Sequence, residues 1–284
     1  NDWSRDGQKK RIKEGKPFGV PDMSQHKERI ILADELGFST AWVRDVPLYD
    51  PHFGDAAQVF EAFTYLGYLA GITNNILLGT AAVVLPLRQP WLVKKSANTM
   101  AELSNNRLIL GVASGDRPSE YPLFNVDYAA RGQLFREAIE VLKDESDSKL
   151  QPGQKIYPQV AQYPIYAAGL AQQSPQFIGE NLDGWLAYPG TPDDHVKRVA
   201  LWRSVAGDKP YVSFIHLDFV DNPDAPIERH HFGVRTGVNG LIKELNSMKA
   251  AGVDHIGLHF RRNEINIEQS MEDIAKNVLP VFHK

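Results

Sequence analysis

The sequence predicts an α/β protein of the (β/α)8 TIM-barrel class, and three observations carry that expectation. Short β-branched or apolar runs alternate with longer amphipathic stretches along the 284 residues, which is the pattern of repeated βαβ units and hence of parallel strands. Runs such as Ala81-Ala82-Val83-Val84-Leu85 are apolar on both faces, as strands must be when buried between a barrel interior and a ring of helices. No Gly-rich dinucleotide turn follows the first strand at Val20, which disfavours an open doubly wound sheet.

In chain order, strands are expected at Phe18–Val20, Thr40–Val43, Ile76–Leu85, Leu108–Ala113, Ile165–Ala168, Trp185–Tyr188, Tyr211–Leu217 and His255–Phe260. Helices are expected between and after them, near 24–36, 58–72, 91–103, 129–143, 174–181, 193–205, 238–251 and 268–282. Asp22 with Gln25 fits a capping box ahead of Ile30-Ile31-Leu32, and Gly37 and Gly252 fit helix stops. Residues 1–284 read as a single barrel domain, without linker, repeat or low-complexity tract. Val20 meets Pro21 with almost no loop, where ~2–6 residues are usual. That join, and the stretch Asp144–Lys149, predict that loop residues of the natural chain are missing at both places.

Composition excludes several classes. Lys and Arg number 31 against 35 Asp and Glu, a net charge of −4, which argues against nucleic-acid binding. No apolar run reaches the ~20 residues of a membrane span. Residues Asn1–Lys16 are polar and basic with no apolar signal region, so cytoplasm is the default expectation. Cysteine is absent, which rules out disulfides, thiolate nucleophiles and Cys-ligated zinc.

In such barrels chemistry gathers where strands end, and polar residues stand there. Arg44 and Asp45, Arg88 and Gln89, Ser114-Gly115-Asp116-Arg117, Tyr188, His216 and Asp218, and His259-Phe260-Arg261-Arg262 each follow or close a strand. Singly, each reads equally well as a solvated loop residue; together they mark one rim. Gly169-Leu170-Ala171-Gln172-Gln173-Ser174 opens a helix directly after a strand, where free N–H groups favour a phosphate. An ordinary tight βα turn is the alternative. His255 and His259 share a strand face but stand ~13 Å apart, too far for one metal, and His230-His231 sits in a loop, so no metal site is expected. Asp116 and Asp218 could pair as glycosidase carboxylates, without the aromatic residues a sugar cleft needs.

Gly79-Thr80-Ala81-Ala82-Val83-Val84-Leu85-Pro86 and Leu103-Ser104-Asn105-Asn106-Arg107-Leu108-Ile109-Leu110-Gly111-Val112 resemble the luciferase-like flavin monooxygenases. This barrel family includes the bacterial luciferases and relatives that use coenzyme F420. Trp42-Val43-Arg44-Asp45-Val46-Pro47-Leu48-Tyr49-Asp50 and Ala113-Ser114-Gly115-Asp116-Arg117-Pro118 resemble its FMN-type branch.

The resemblance implies reduced FMN and oxygen oxidising a small organic substrate in a dry pocket, with a flavin reductase as a possible electron source. It implies FMN contacts at Ala81, Ala82, Ser114, Gly115, Asp116, Arg117, Gly169, Leu170, Ala171, Gln173 and Ser174. Arg44, Arg88 and Tyr188 would face the substrate, and Arg117 or Arg88 would neutralise the flavin phosphate or a substrate anion. Where bacterial luciferases carry a histidine after the acidic residue, Asp45 is followed by Val46. Light emission is therefore not expected, and acid–base work falls to Asp45 or His216. The resemblance also places a non-proline cis peptide between Ala81 and Ala82, where two small side chains relieve crowding. It further implies a homodimer through Val59–Ile72, which carries more aromatic area than one barrel-facing stripe needs. F420-dependent hydride transfer and flavin binding without turnover remain open beside the monooxygenase reading, and a metal-dependent barrel hydrolase lies further off.

Overall fold

The computed structural model describes residues 10, 13–14, 21–50, 52–53, 59–144, 148–160 and 162–283. The predicted strand Phe18–Val20 and both short joins fall partly or wholly outside them. Among the described residues, strands and helices alternate as the sequence pattern requires. They run α1 (His26–Glu35), β1 (Thr40–Val43), α2 (Ala62–Ile72), β2 (Leu77–Thr80), β3 (Val83–Val84), α3 (Pro90–Leu103), β4 (Leu108–Ala113) and α4 (Arg131–Lys143). Then follow β5 (Ile165–Ala168), α5 (Pro175–Asn181), β6 (Gly184–Leu186), α6 (Pro192–Ala206) and β7 (Tyr211–Phe219). A hairpin of β8 (Glu228–His230) and β9 (Gly233–Thr236), then α7 (Val238–Ala250), β10 (His255–His259), α8 (Ile267–Asn277) and α9 (Leu279–Phe282), complete the chain.

The barrel wall runs β1-β2-β4-β5-β6-β7, with β10 on β7, and every one of these pairings is parallel. Core side chains fill the layer between sheet and helices: Leu66 and Leu69 of α2, Leu78, Leu108 and Leu110 of the strands, and Phe135 and Ile139 of α4. Ile109, Tyr166, Leu186 and Val212, on the alternate positions, form a second cluster with Trp42, Ala81, Ala168 and Phe214. That cluster is the barrel interior.

Ile76–Leu85, expected as one strand, is broken into β2 and β3 by a cis peptide at Ala81–Ala82. The register shows the break as a bulge: Gly79 pairs Ile109, an offset of 30, whereas Val83 pairs Val112, an offset of 29. One extra residue therefore sits on the bulged strand. Gly111 accommodates it, since a Cβ there would lie 1.8 Å from the Thr80 carbonyl oxygen. Thr80 Oγ1 closes the step by donating to the Gly111 carbonyl at 2.7 Å.

Several boundaries differ from the sequence expectation. The capping box at Asp22 and Gln25 does not form; Gln25 is the N-cap without a side-chain bond, and Asp22 instead accepts from the Ser24 N–H at 2.9 Å. A capping box does form at Thr191 and Asp194 of α6. The stops at Gly37 and Gly252 hold, both with left-handed φ (80° and 89°). The last expected helix divides at Val278, because Pro280 cannot donate into a continuing helix. His230-His231, expected in a loop, belongs to the β8–β9 hairpin, the antiparallel pair beside the parallel wall.

Candidate active site

Residues directly opposite in a parallel ladder share a sheet face, so the register assigns the barrel mouth. Trp42 pairs Gly79, Gly79 pairs Ile109, Gly111 pairs Tyr166, Ala168 pairs Leu186, and Leu186 pairs Val212. Phe214 pairs Gly257 and His216 pairs His259. The upper inward layer is therefore uneven. On the β2–β5 side it holds only the small Ala81, Ala113 and Ala168; on the β7–β10 side it holds His216 and His259. A cleft of about 1740 Å³ opens here, lined by Arg44, Asp45, Ala81, Ala82, Ser114–Arg117, Glu120, Ala168–Gln173, Tyr188 and His216, and it continues down the interior past Trp42 and Phe214.

Asp45 is firmly engaged. Its Oδ2 accepts from Arg88 Nε at 3.0 Å and from the Val84 N–H at 3.1 Å, and its Oδ1 accepts from Arg88 Nη2 at 2.7 Å. Arg88 also reaches Glu61 at 2.8 Å. The pair ties the end of β1 to β3 and α2.

The turn after β4 packs tightly. Gly115 has φ 78°, and a Cβ there would come within 2.6 Å of the Tyr121 hydroxyl, which donates to the Ser114 carbonyl. Arg117 is buried, its guanidinium 4.3 Å from the Phe53 ring centroid and its Nε 3.9 Å from Glu120 Oε1. Asp116 is exposed on the rim.

Glu120, which the sequence reading passed over, is only 1% exposed. Its Oε1 has no hydrogen-bond partner among the described residues. Burial pushes its carboxyl up to about 7; Arg117 opposes that, while Asp116 and Asp45 add to it. A carboxylic acid that holds its proton near neutrality at a cleft wall can deliver it to a bound molecule.

After β5, Gly169, Ala171 and Gln172 all take left-handed φ (59°, 47° and 61°). The Gly169 and Gln173 N–H groups are spent on the Leu186 and Leu170 carbonyls. The Gln173 side chain turns to Arg136 and to the Gly132 carbonyl, and the Ser174 hydroxyl caps Phe177 N–H. Because α5 has only 7 residues, its dipole adds little. A second residue outside the sequence reading stands beside this loop. Arg131 lies over the Tyr128 ring at 3.8 Å and donates from Nη1 to the Tyr128 carbonyl, while its buried Nε has no hydrogen-bond partner among the described residues. Next to it, a Cβ on Gly132 would come within 3.0 Å of Gln172 Cβ, so the start of α4 packs directly on the loop. A buried guanidinium N–H left over beside a strand-end turn suits a phosphate oxygen.

Of the other residues singled out, Arg44 lines the cleft and Tyr188 stands over Gly169, with its carbonyl held by Arg198 Nη1 at 2.8 Å. Asp218 is buried and ion-paired to Arg235, its cross-strand partner on β9, which removes it from any pairing with Asp116.

Residues 5–208 match the luciferase-like monooxygenase family, and the chain belongs to it. An uncharacterized protein, y4vJ of Sinorhizobium fredii, is 31% identical over 148 residues, 52% of this chain and 41% of its own. The alkanal monooxygenase beta chain of Photorhabdus luminescens is 26% identical over 163 residues, 56% of this chain and 48% of its own. The F420-dependent glucose-6-phosphate dehydrogenase of Amycolatopsis mediterranei is 28% identical over 187 residues, 61% of this chain and 55% of its own. The chain thus spans about half the length of these relatives. Among solved structures, an F420-dependent secondary alcohol dehydrogenase superposes with TM-score 0.75 at 16% identity, covering 93% of this chain and 98% of the other. The oxygenating constituent of the 3,6-diketocamphane monooxygenase of Pseudomonas putida, in complex with FMN, superposes with TM-score 0.69 at 13% identity, covering 91% and 92%. These likenesses establish the barrel fold. Family members are oxidoreductases, and the relatives divide between flavin and F420. Among the described residues, no helix is long and apolar enough to cross a membrane.

Proposed function

We propose that this chain, as one barrel domain, is an FMN-dependent monooxygenase acting on a small organic substrate. The observation that carries the reading is the uneven upper layer of the barrel. Ala81, Ala113 and Ala168 leave a shallow, apolar ledge on one side of the mouth, with Leu186 and Phe214 lining the interior beneath it. Arg131 and the backbone of Leu170 and Ala171 lie on the same side, where a ribityl phosphate would end. The ligation set fits FMN: the buried Arg131 Nε, which has no hydrogen-bond partner among the described residues, a left-handed turn, and no carboxylate in the turn itself.

Bound and reduced, FMN would supply the electrons with which oxygen is activated, one oxygen atom going to the substrate and the other leaving as water. The chain's own residues set the conditions. The interior cluster gives the ring's seat an apolar lining, Ala81, Ala168, Leu186 and Phe214, as an oxygen-activating flavin requires. Glu120 holds a proton at its carboxyl, and His216 faces the same space from the opposite wall. Asp45, clamped by Arg88, fixes the β1 end and positions Arg44 rather than exchanging protons itself. The exposed aromatic patch around α2 supports a homodimer.

The relationship to alkanal monooxygenase favours FMN, and that to the glucose-6-phosphate dehydrogenase gives F420-dependent hydride transfer as the second reading. Equilibrium titration of the purified protein with FMN and, separately, with F420 decides between them. Tighter binding of FMN, with oxygen uptake once a flavin reductase and NADH are added, supports the proposal. Binding of F420 alone overturns it.

A further inference from the structure

Glu120 lines the cleft with a hydrogen-bonding oxygen that the fold itself does not use. Its Oε1 is buried and has no hydrogen-bond partner among the described residues. Buried polar groups are normally satisfied, and an exception at a cleft wall calls for a partner from outside the chain.

The residue is held firmly in place. Its N–H donates to the Arg117 carbonyl at 3.1 Å. The Ser119 hydroxyl before it donates to Asp50 Oδ2 at 2.9 Å, which ties this segment to the connection between β1 and α2. A Cβ on Gly115 would come within 2.7 Å of Val84 Cγ1, so the turn leading to Glu120 packs on the end of β3. Four charged groups act on the carboxyl: Arg117 and Asp116 from its own turn, and Asp45 and Arg44 from the end of β1. Arg117 Nε stands 3.9 Å from Oε1, too far for a hydrogen bond, and Asp45 is clamped by Arg88. Tyr121, the next residue, spends its hydroxyl on the Ser114 carbonyl. In the sheet, β2 and β4 lie between β1 and β5. Glu120, beside the β1 end, and the turn after β5 therefore flank the ledge of Ala81, Ala113 and Ala168 from opposite sides.

The inference rests on the flavin reading. The polar edge of a flavin ring, two carbonyl oxygens flanking an N–H, suits a buried carboxyl; the methyl-bearing edge does not. We propose that Glu120 donates its carboxyl proton in a hydrogen bond to a carbonyl oxygen of that polar edge, so that cofactor binding draws a proton onto the protein. Burial already favours the protonated carboxyl, which titrates at about 7, and an acceptor for its proton shifts the balance further the same way. An ionised Glu120 accepting from the ring N–H would release a proton instead.

The test is calorimetric titration of the purified, flavin-free protein with FMN at pH 8 in buffers of different ionisation enthalpy, which counts the protons exchanged. A phosphate monoester, with its second pKa at ~6, is already fully charged there and adds little to the count. Wild type is expected to take up about half to one proton per FMN. Glu120→Gln, whose amide N–H can donate to the same oxygen but cannot titrate, is expected to take up none. Its FMN affinity is expected to lie within about threefold of wild type at pH 6 and to hold from pH 7 to 9. Wild type is expected to weaken over that range by up to about tenfold per pH unit. Glu120→Leu, which has no donor, is expected to lose at least about tenfold at pH 6. FMN binding with no proton uptake by wild type, with proton release, or with equal uptake in Glu120→Gln overturns the proposal and leaves the flavin reading standing. The wild-type count decides by itself where a variant does not fold. F420 carries the same dicarbonyl edge. F420 binding with proton uptake, where FMN does not bind, overturns the FMN reading and leaves the role of Glu120 standing; binding of neither overturns both.

Discussion

Arg88 grips Asp45 with two parallel hydrogen bonds, Nε to Oδ2 at 3.0 Å and Nη2 to Oδ1 at 2.7 Å, and the carboxylate side chain is only 7% exposed. The Val84 N–H adds a third bond, so the carboxylate joins three segments whose ends form the mouth. A charge-assisted pair of this geometry is strong, and removing one partner leaves the other partly buried and uncompensated. Asp45→Asn should therefore lower stability by about 1.5–3 kcal/mol, measured by urea unfolding. A catalytic base would show the reverse, with turnover lost and stability intact.

Glu120 makes stability depend on pH with a definite sign. Its folded pKa of about 7 lies above the ordinary 4.5, so the folded state binds the proton more tightly. Its contribution is whole below pH 4.5 and is lost as pH rises to about 7. Buried His195 and His255, both lowered to about 4 by burial, act oppositely: their contribution is whole above pH 6.5 and lost as pH falls toward 4. The difference between wild type and Glu120→Gln isolates the carboxyl. The variant should gain on the order of 3 kcal/mol relative to wild type between pH 4.5 and 7, read from unfolding curves across that range. A difference that stays flat with pH would mean Glu120 is ionised in the fold.

Much of the barrel was legible in the sequence. Leu108–Ala113 and Ile165–Ala168 form strands at the residues expected, because parallel strands buried on both faces have no polar alternation to blur their ends. The β8–β9 hairpin was not legible. Glu228-Arg229-His230 lacks an apolar face, and Phe232 takes the left-handed turn position that glycine or asparagine normally announces. Strand-end residues such as Asp45, Arg117 and His216 could be placed at the mouth because topology alone puts them there. Glu120 and Arg131 could not. Both lie well past a strand end, and only tertiary packing buries Glu120 and leaves a buried nitrogen of Arg131 without a hydrogen-bond partner among the described residues.

Arg131 gives the phosphate side of the mouth its own test. Its buried Nε, beside the loop after β5, has no hydrogen-bond partner among the described residues, and Arg117 is already stacked on Phe53 and near Glu120. Arg131→Ala should weaken FMN by about 1.5–3 kcal/mol, or roughly ten- to a hundredfold by flavin fluorescence titration, whereas Arg88→Ala should act mainly on stability. Equal losses of FMN affinity in the two variants would mean that neither arginine is specific for the phosphate.

The aromatic surface around α2 predicts assembly. Tyr68 is 42% exposed, Val59 40% and Phe60 37%. They are neighbours rather than scattered residues: the His26 ring lies 5.3 Å from Phe60, 5.5 Å from Tyr65 and 5.7 Å from Tyr68, and Phe60 lies 5.0 Å from Tyr65. Scattered surface apolar residues need no explanation, but a contiguous aromatic patch marks an interaction site. Across a two-fold axis the patch would meet its own copy, so each side chain counts twice. Covering the exposed part of Tyr68 removes roughly 80 Å² of a ring, worth about 2 kcal/mol at ~25 cal/mol per Å². Tyr68→Glu would thus cost the pair about 4 kcal/mol before any charge repulsion, roughly a thousandfold in the dimer constant. Sedimentation velocity at micromolar concentration should find wild-type dimers and Tyr68→Glu monomers with unchanged circular dichroism. A wild-type monomer under those conditions would show that the patch serves another partner.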